Sequence, residues 1–164
     1  NFLNSSYKLM IKIILGLLTF LFVAGSVFAA TTTDARNFFN RYVEGANSYN
    51  PVITTMYSPN AKIIRQVIKP DGTIVTRQTN TARYISEMKK GQAIAKVRRY
   101  KNYYSNVSVV ALGNNTFKIS SLRQPSGEKY KLKAYMVVKQ LPNGKWTITE
   151  EMMQTKVQML INAK

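Results

Sequence analysis

Residues 129–154 read KYKLKAYMVVKQLPNGKWTITEEMMQ, and the period of that stretch decides the fold. Side chains two apart on a strand share a face. Tyr130, Leu132, Ala134, Met136 and Val138 fall on one face, and Lys129, Lys131, Lys133 and Lys139 fall on the other. Pro142-Asn143-Gly144 follows, and Asn and Gly accept the positive φ that a tight hairpin turn demands. A second strand then runs from Trp146 to Gln154, with Trp146, Ile148, Glu150 and Met152 sharing one face. The unit reads as an antiparallel hairpin with one apolar and one lysine-bearing side.

The same pattern extends upstream. Strand-like segments at Lys96–Leu112 and Thr116–Arg123 are separated by Gly113-Asn114-Asn115 and Pro125-Ser126-Gly127, which completes a four-strand meander. Nearer the start, Ala35, Phe38, Phe39, Tyr42, Val43 and Ala46 keep the 3.6-residue period of an amphipathic helix, opened by a Thr31-x-x-Asp34 signal. Asn50-Pro51 reads as the cap of a second short helix through Tyr57, stopped by Ser58-Pro59-Asn60. Two β-branched runs, Ala61–Ile68 and Thr73–Gln78, flank Lys69-Pro70-Asp71-Gly72 and predict a hairpin. Thr79-Asn80 caps a third helix carrying Tyr84, Ile85 and Met88, expected to end at Gly91. Helices segregated from strands define an α+β domain, a curved antiparallel sheet of about six strands packed on three N-terminal helices.

This order, with a hairpin before the third helix and an Asn-Gly turn leading into Trp146-Thr147-Ile148, resembles the nuclear-transport-factor-2-like superfamily. That group includes ketosteroid isomerases, SnoaL-type polyketide cyclases, scytalone dehydratase and many non-catalytic binding domains. The likeness covers about Thr31 to Gln154 and implies a cone-shaped fold with an interior lined here by Tyr42, Tyr57, Met88, Met136 and Trp146. It also implies a place where the family's enzymes set Asp, Glu or His residues, often with a tyrosine to polarise a substrate oxygen.

Composition narrows what that interior can do. The 164 residues contain no Cys and no His. Thiolate zinc sites, cysteine nucleophiles, Ser-His-Asp triads and imidazole bases are therefore excluded. No metal set, phosphate-binding glycine loop or nucleophile elbow is legible, and no cofactor is expected. Among seven acids, Asp34 and Asp71 are explained by a helix start and a turn, Glu44 and Glu87 by polar helix faces, and Glu128 by a turn. Glu150 and Glu151 remain. With Trp146 and Ile148 facing the cone, Glu150 faces it too, either as a general base with a raised pKa or as the partner of a nearby Arg or Lys. With no catalytic set of the family matched, the chain reads as a non-enzyme, the alternative being an isomerase or cyclase that uses Glu150.

Lys plus Arg number 24, for a formal charge of +17. Lys8 and Lys12 precede the apolar run Ile13–Val23, and Val27-Phe28-Ala29 follows with the residues a signal peptidase reads. Residues 1–29 are expected to be a secretory signal, with Met10 a candidate start. The domain then spans 30–154, with 155–164 a tail or short helix. Loss of the signal removes two lysines and no acid, so the charge falls to +15 on a periplasmic or extracellular body. Two clusters concentrate it: Lys96, Arg98, Arg99 and Lys101, interleaved with Tyr100, Tyr103 and Tyr104, and the stripe Lys129, Lys131 and Lys133. Alternate strand residues lie ~6.6 Å apart, close to the spacing of phosphates. The expected activity is docking on an anionic, phosphate-bearing lipid or polyanion, with room for a small apolar ligand. A homodimer or a subunit of an envelope assembly is the further alternative.

Overall fold

The computed structural model describes residues 28–161. The expected signal segment lies outside them apart from Phe28 and Ala29, as do the last three residues of the chain. α1, Thr32–Asn47, starts at a reciprocal cap: Thr31 Oγ1 accepts from the Asp34 N–H, and the Asp34 carboxylate accepts from the Thr31 N–H. Its periodic face buries Ala35, Phe38, Phe39 and Tyr42. Gly45 is buried on the same helix, where a Cβ would stand 2.9 Å from Ile53 Cγ2.

Asn50 does cap the next segment, accepting from the Val52 N–H, but the segment is a 3-10 turn, Pro51–Thr55. The sheet claims the backbone at once: the Ile148 N–H donates to the Met56 carbonyl, and Tyr57 already pairs with Ile148. Tyr57 and Ser58-Pro59-Asn60 thus belong to β1, Tyr57–Ile68, rather than to a helix and its stop. Among the described residues two α-helices, not three, accompany the sheet. β2, Ile74–Thr79, returns through the Pro70-Asp71-Gly72 turn, with Gly72 at φ 86 and the Asp71 carboxylate accepting from Thr73.

α2, Thr81–Val97, begins at Asn80, whose side chain accepts from the Arg83 N–H. It does not stop at Gly91. That glycine is not in the left-handed region, and the following Gln92, Ala93, Ala95 and Lys96 are good helix formers that carry six more residues of helix. Arg99 takes the left-handed turn instead, at φ 51. β3 consequently starts at Asn102 and spans Asn102–Gly113, so Lys96 is helical rather than extended.

β4 (Thr116–Pro125), β5 (Leu132–Gln140) and β6 (Trp146–Thr155) complete a curved six-stranded sheet in the order β2-β1-β6-β5-β4-β3. Every neighbouring pair is antiparallel except β1 with β6, which is parallel. The early hairpin and the late meander are separate units, and their joining seam sets the first strand beside the last. The helix-covered inner face holds the core, where Phe38 and Phe39 meet Ile63, Phe117, Ile119, Met136, Val138 and Ile148.

One irregularity in β6 governs which acid faces inward. Pairing with β5 jumps from Val138↔Ile148 to Val137↔Glu150, leaving Thr149 as an extra residue. A bulge of this kind reverses the face of every side chain after it. Ile148 and Glu151 therefore share the inner face, and Glu150 turns outward.

Candidate functional site

Glu151 is 1% exposed and lies between Ile63 of β1 and Met136 of β5. A buried carboxylate is costly unless paired and bonded, and this one is fully engaged. Arg65 Nη2 donates to Oε1 at 2.7 Å. The Tyr57 and Tyr42 hydroxyls both donate to Oε2, Tyr42 at 3.3 Å, and the two hydroxyls lie 3.1 Å apart. Arg65 also stacks on the Tyr84 ring, 4.8 Å from its centroid. Burial and then the Glu151 charge raise the ionisation of Tyr42 and Tyr57 well above the ordinary phenol range, and push Tyr84 up to about 12. Burial works against the Arg65 charge, but Tyr84 and Glu151 outweigh it and hold the cation.

Chemically the knot is closed. Three donors converge on the carboxylate, and the proton acceptor a base would need is spent on them. The Glu150 carboxylate, set against Tyr135 at 2.5 Å on the outer face, is not in the cone at all. The inward assignment of Glu150 is thus corrected by the Thr149 bulge. The neighbouring acid, Glu151, is the one buried.

The knot carries a pH signature. Tyrosines that ionise later in the folded chain than in the unfolded one stabilise the fold fully below pH ~10 and lose that contribution as pH rises toward their folded values. Stability is expected to fall steeply above pH ~10. The share of the phenolate absorbance at 295 nm that belongs to the buried tyrosines should rise only together with loss of the far-ultraviolet helix signal. Complete ionisation of all the tyrosines ahead of unfolding would contradict the burial of these hydroxyls.

Tyr42, Tyr57 and Met136, expected to line an interior space, are buried in contact with neighbours. Trp146 is half-buried between Phe38 and Phe117, with ring centroids 5.9 and 5.7 Å away, and Met88 packs half-buried from α2. A cavity of ≈ 280 Å³ opens instead at the side of the cone, between β1, β2 and α2.

The two basic clusters are brought to one end of the sheet. Lys96 is exposed in the last turn of α2, Arg98 caps it, and Arg99 and Lys101 lie in the connection to β3. Lys129 and Lys131 are exposed in the β4–β5 connection rather than on a strand, and Lys133 is exposed on the outer face of β5. Reciprocal hydrogen bonds join these connections: the Lys101 N–H donates to Ser126 Oγ at 2.9 Å, and the Ser126 N–H donates to the Lys101 carbonyl at 2.8 Å. Lys131 Nζ reaches Ser105 Oγ at 3.2 Å. Lys156 joins from the end of β6, its ammonium 4.3 Å from the Tyr130 ring centroid.

Underneath lies Arg123, 6% exposed. It donates to Asn102 Oδ1 at 2.7 Å, the Gln154 carbonyl at 2.8 Å and the Tyr100 hydroxyl at 3.4 Å, and its Nε has no partner among the described residues. This buried cation has only neutral partners, and it ties the starts and ends of β3, β4 and β6 into a firm platform. Among the described residues only Arg65 and Arg83 form ion pairs, so no cation of the basic end is neutralised by a contacting acid. Arg65, Arg123 and Lys156 were not singled out from the sequence. Their roles come from cross-strand contacts between distant segments, and the chain order carries no signal for those.

No protein-family model matches the sequence, and no curated protein matches it either. Solved structures do. A nuclear-transport-factor-2-like protein of unknown function from Shewanella oneidensis superposes with a TM-score of 0.57 at 13% identity, over 76% of this chain and 98% of that one. A candidate scytalone dehydratase from Novosphingobium aromaticivorans gives 0.53 at 11% identity, over 73% and 79%. A candidate ketosteroid isomerase from Shewanella frigidimarina gives 0.52 at 14% identity, over 77% and 97%. The fold is the nuclear-transport-factor-2-like cone.

Proposed function

We propose that this chain is an exported, non-catalytic binding domain that seats its basic end on an anionic, phosphate-bearing bilayer. The observation that carries the reading is the Lys101–Ser126 pairing, which fuses two cation-rich connections into one patch whose cations form no ion pair among the described residues. Net charge argues for partners rather than for fold. A lipid surface fits better than a soluble polyanion because apolar side chains stand among the cations. Val97, between Lys96 and Arg98, is 84% exposed, and Ile94, Tyr100 and Tyr103 are exposed as well. Aliphatic tips and tyrosines flanked by Lys and Arg suit the headgroup boundary, where the rings lie flat and the cations meet phosphates. Export supplies the setting: outside the cytoplasm the phosphates within reach belong to lipids and envelope polymers. The outward Glu150 and the fully engaged Glu151 argue against an isomerase or cyclase that uses either acid.

The test is cosedimentation of the full chain with phosphatidylglycerol vesicles, with phosphatidylcholine vesicles and with polyphosphate. The expected result is binding to the anionic vesicles, none to the zwitterionic ones, and weaker binding to polyphosphate, which offers the cations a partner but leaves Val97 in water. Equal binding to both vesicles, or none to either, overturns the reading.

A further inference from the structure

The basic end leaves one group of cations unexplained. Arg65 and Arg77 are directly opposed on β1 and β2. Like charges facing across a strand pair destabilise it. Both project to the inner face, since Arg65 alternates with the buried Ile63 and Val67. Arg83, from the first turn of α2, completes a trio around the ≈ 280 Å³ cavity, whose walls also include Ile63, Tyr84, Glu87 and Leu160.

The charges there do not cancel. Glu151 is held by Arg65 at 2.7 Å, and Glu87 by Arg83 at 3.0 Å. Of the three, Arg77 alone has no carboxylate partner among the described residues. Its Nε donates to the Ile161 carbonyl at 2.7 Å, and among the described residues its two terminal nitrogens have no hydrogen-bond partner. A guanidinium presents those nitrogens as a fork matched to carboxylate or phosphate oxygens. The 3-10 turn Gln158–Ile161 lies over this side, anchored by Arg77 and by Gln158 Nε2 on the Ile68 carbonyl.

We infer that this cleft is a second, small-molecule site that takes an amphipathic anion. Its carboxylate or phosphate sits on the fork of Arg77, with Arg83 alongside, and its apolar body lies against Ile63, Tyr84 and Leu160. A cavity of roughly 150 Å³ holds a benzene, so ≈ 280 Å³ suits a body about the size of two fused rings. The site is separate from the bilayer-facing end and does not depend on it.

Calorimetry on the full chain with 2-naphthoate, 2-naphthyl phosphate and the neutral 2-naphthamide tests this. At least one of the two anions is expected to bind saturably, the tighter one identifying the headgroup, and the amide at least tenfold more weakly. Arg77→Gln should lose at least tenfold in anion affinity, Arg77→Lys should recover part of it, and neither should alter vesicle binding. Arg77 is exposed, so both variants should fold, with an unchanged melting temperature as the check. Equal binding of amide and anions, no binding of any probe, or an unchanged Arg77→Gln affinity overturns the assignment.

Discussion

Replacing Glu151 with alanine is expected to cost about 3–5 kcal/mol, the range for removing one partner of a buried ion pair. The loss has three sources. Arg65 is left as a cation with 17% side-chain exposure and no carboxylate. The Tyr42 and Tyr57 hydroxyls lose their common acceptor in a buried position. A void opens among Ile63, Met136 and the two rings. Total stabilities of small domains lie at about 5–15 kcal/mol, so the variant stands near the threshold of folding. Glu150→Ala is the matched control. It removes a half-exposed carboxylate from the outer face and should cost no more than about 1 kcal/mol. Urea denaturation of the two variants gives the comparison, and a larger loss at Glu150 than at Glu151 would contradict the bulge at Thr149.

The second large effect belongs to the basic end. Each Lys or Arg near an anionic bilayer contributes about 1 kcal/mol, so the triple variant Arg98→Gln, Arg99→Gln, Lys101→Gln should lose about 3 kcal/mol, or roughly 100-fold in vesicle affinity. All three side chains are exposed, so stability should hold. A charge-matched triple at the other end of the strands, Lys118→Gln, Lys139→Gln, Lys145→Gln, removes the same net charge. It should lose far less, because at physiological salt the Debye length of about 8 Å confines the attraction to cations close to the lipid. Equal losses from the two triples would mean that total charge acts, and that the patch does not.

Much of the fold was legible, because periodicity reports burial directly. The α1 face, the Pro-Asp-Gly and Asn-Gly hairpins and the order of the four-strand meander follow the apolar spacing and turn residues, while β3 starts at Asn102 and β5 at Leu132 rather than at Lys96 and Lys129. Two local signals were outweighed, one by a partner distant in the chain and the other by neighbouring helix formers. Asn50-Pro51 is a sound helix start, but pairing of Tyr57 with Ile148 takes the backbone away after one turn. Gly91 resembles a helix stop, yet the helix formers beyond it continue to Val97, and Arg99 adopts the positive φ a glycine would ordinarily supply.

The Glu150–Glu151 pair is the most instructive case. Strict alternation selects Glu150 for the interior, and one extra residue at Thr149 reverses the choice. A bulge inside an apolar-polar run leaves no mark in composition. The basic clusters were visible as residues, but their union was not, since Lys101 and Ser126 are 25 positions apart and meet only through the return of β4 toward the start of β3. The arginine trio was hidden in the same way, with Arg65 and Arg77 on opposite arms of a hairpin and Arg83 on the helix beyond.

The absence of cysteine allows a single reporter to be placed anywhere in the chain. An environment-sensitive fluorophore on Val97→Cys should shift to shorter wavelength on phosphatidylglycerol vesicles and return when salt is added, while the same label on Lys145→Cys stays as it is in water. A label at 97 that remains in an aqueous environment on vesicles that the protein has bound, or equal shifts at 97 and 145, would contradict docking through the basic end.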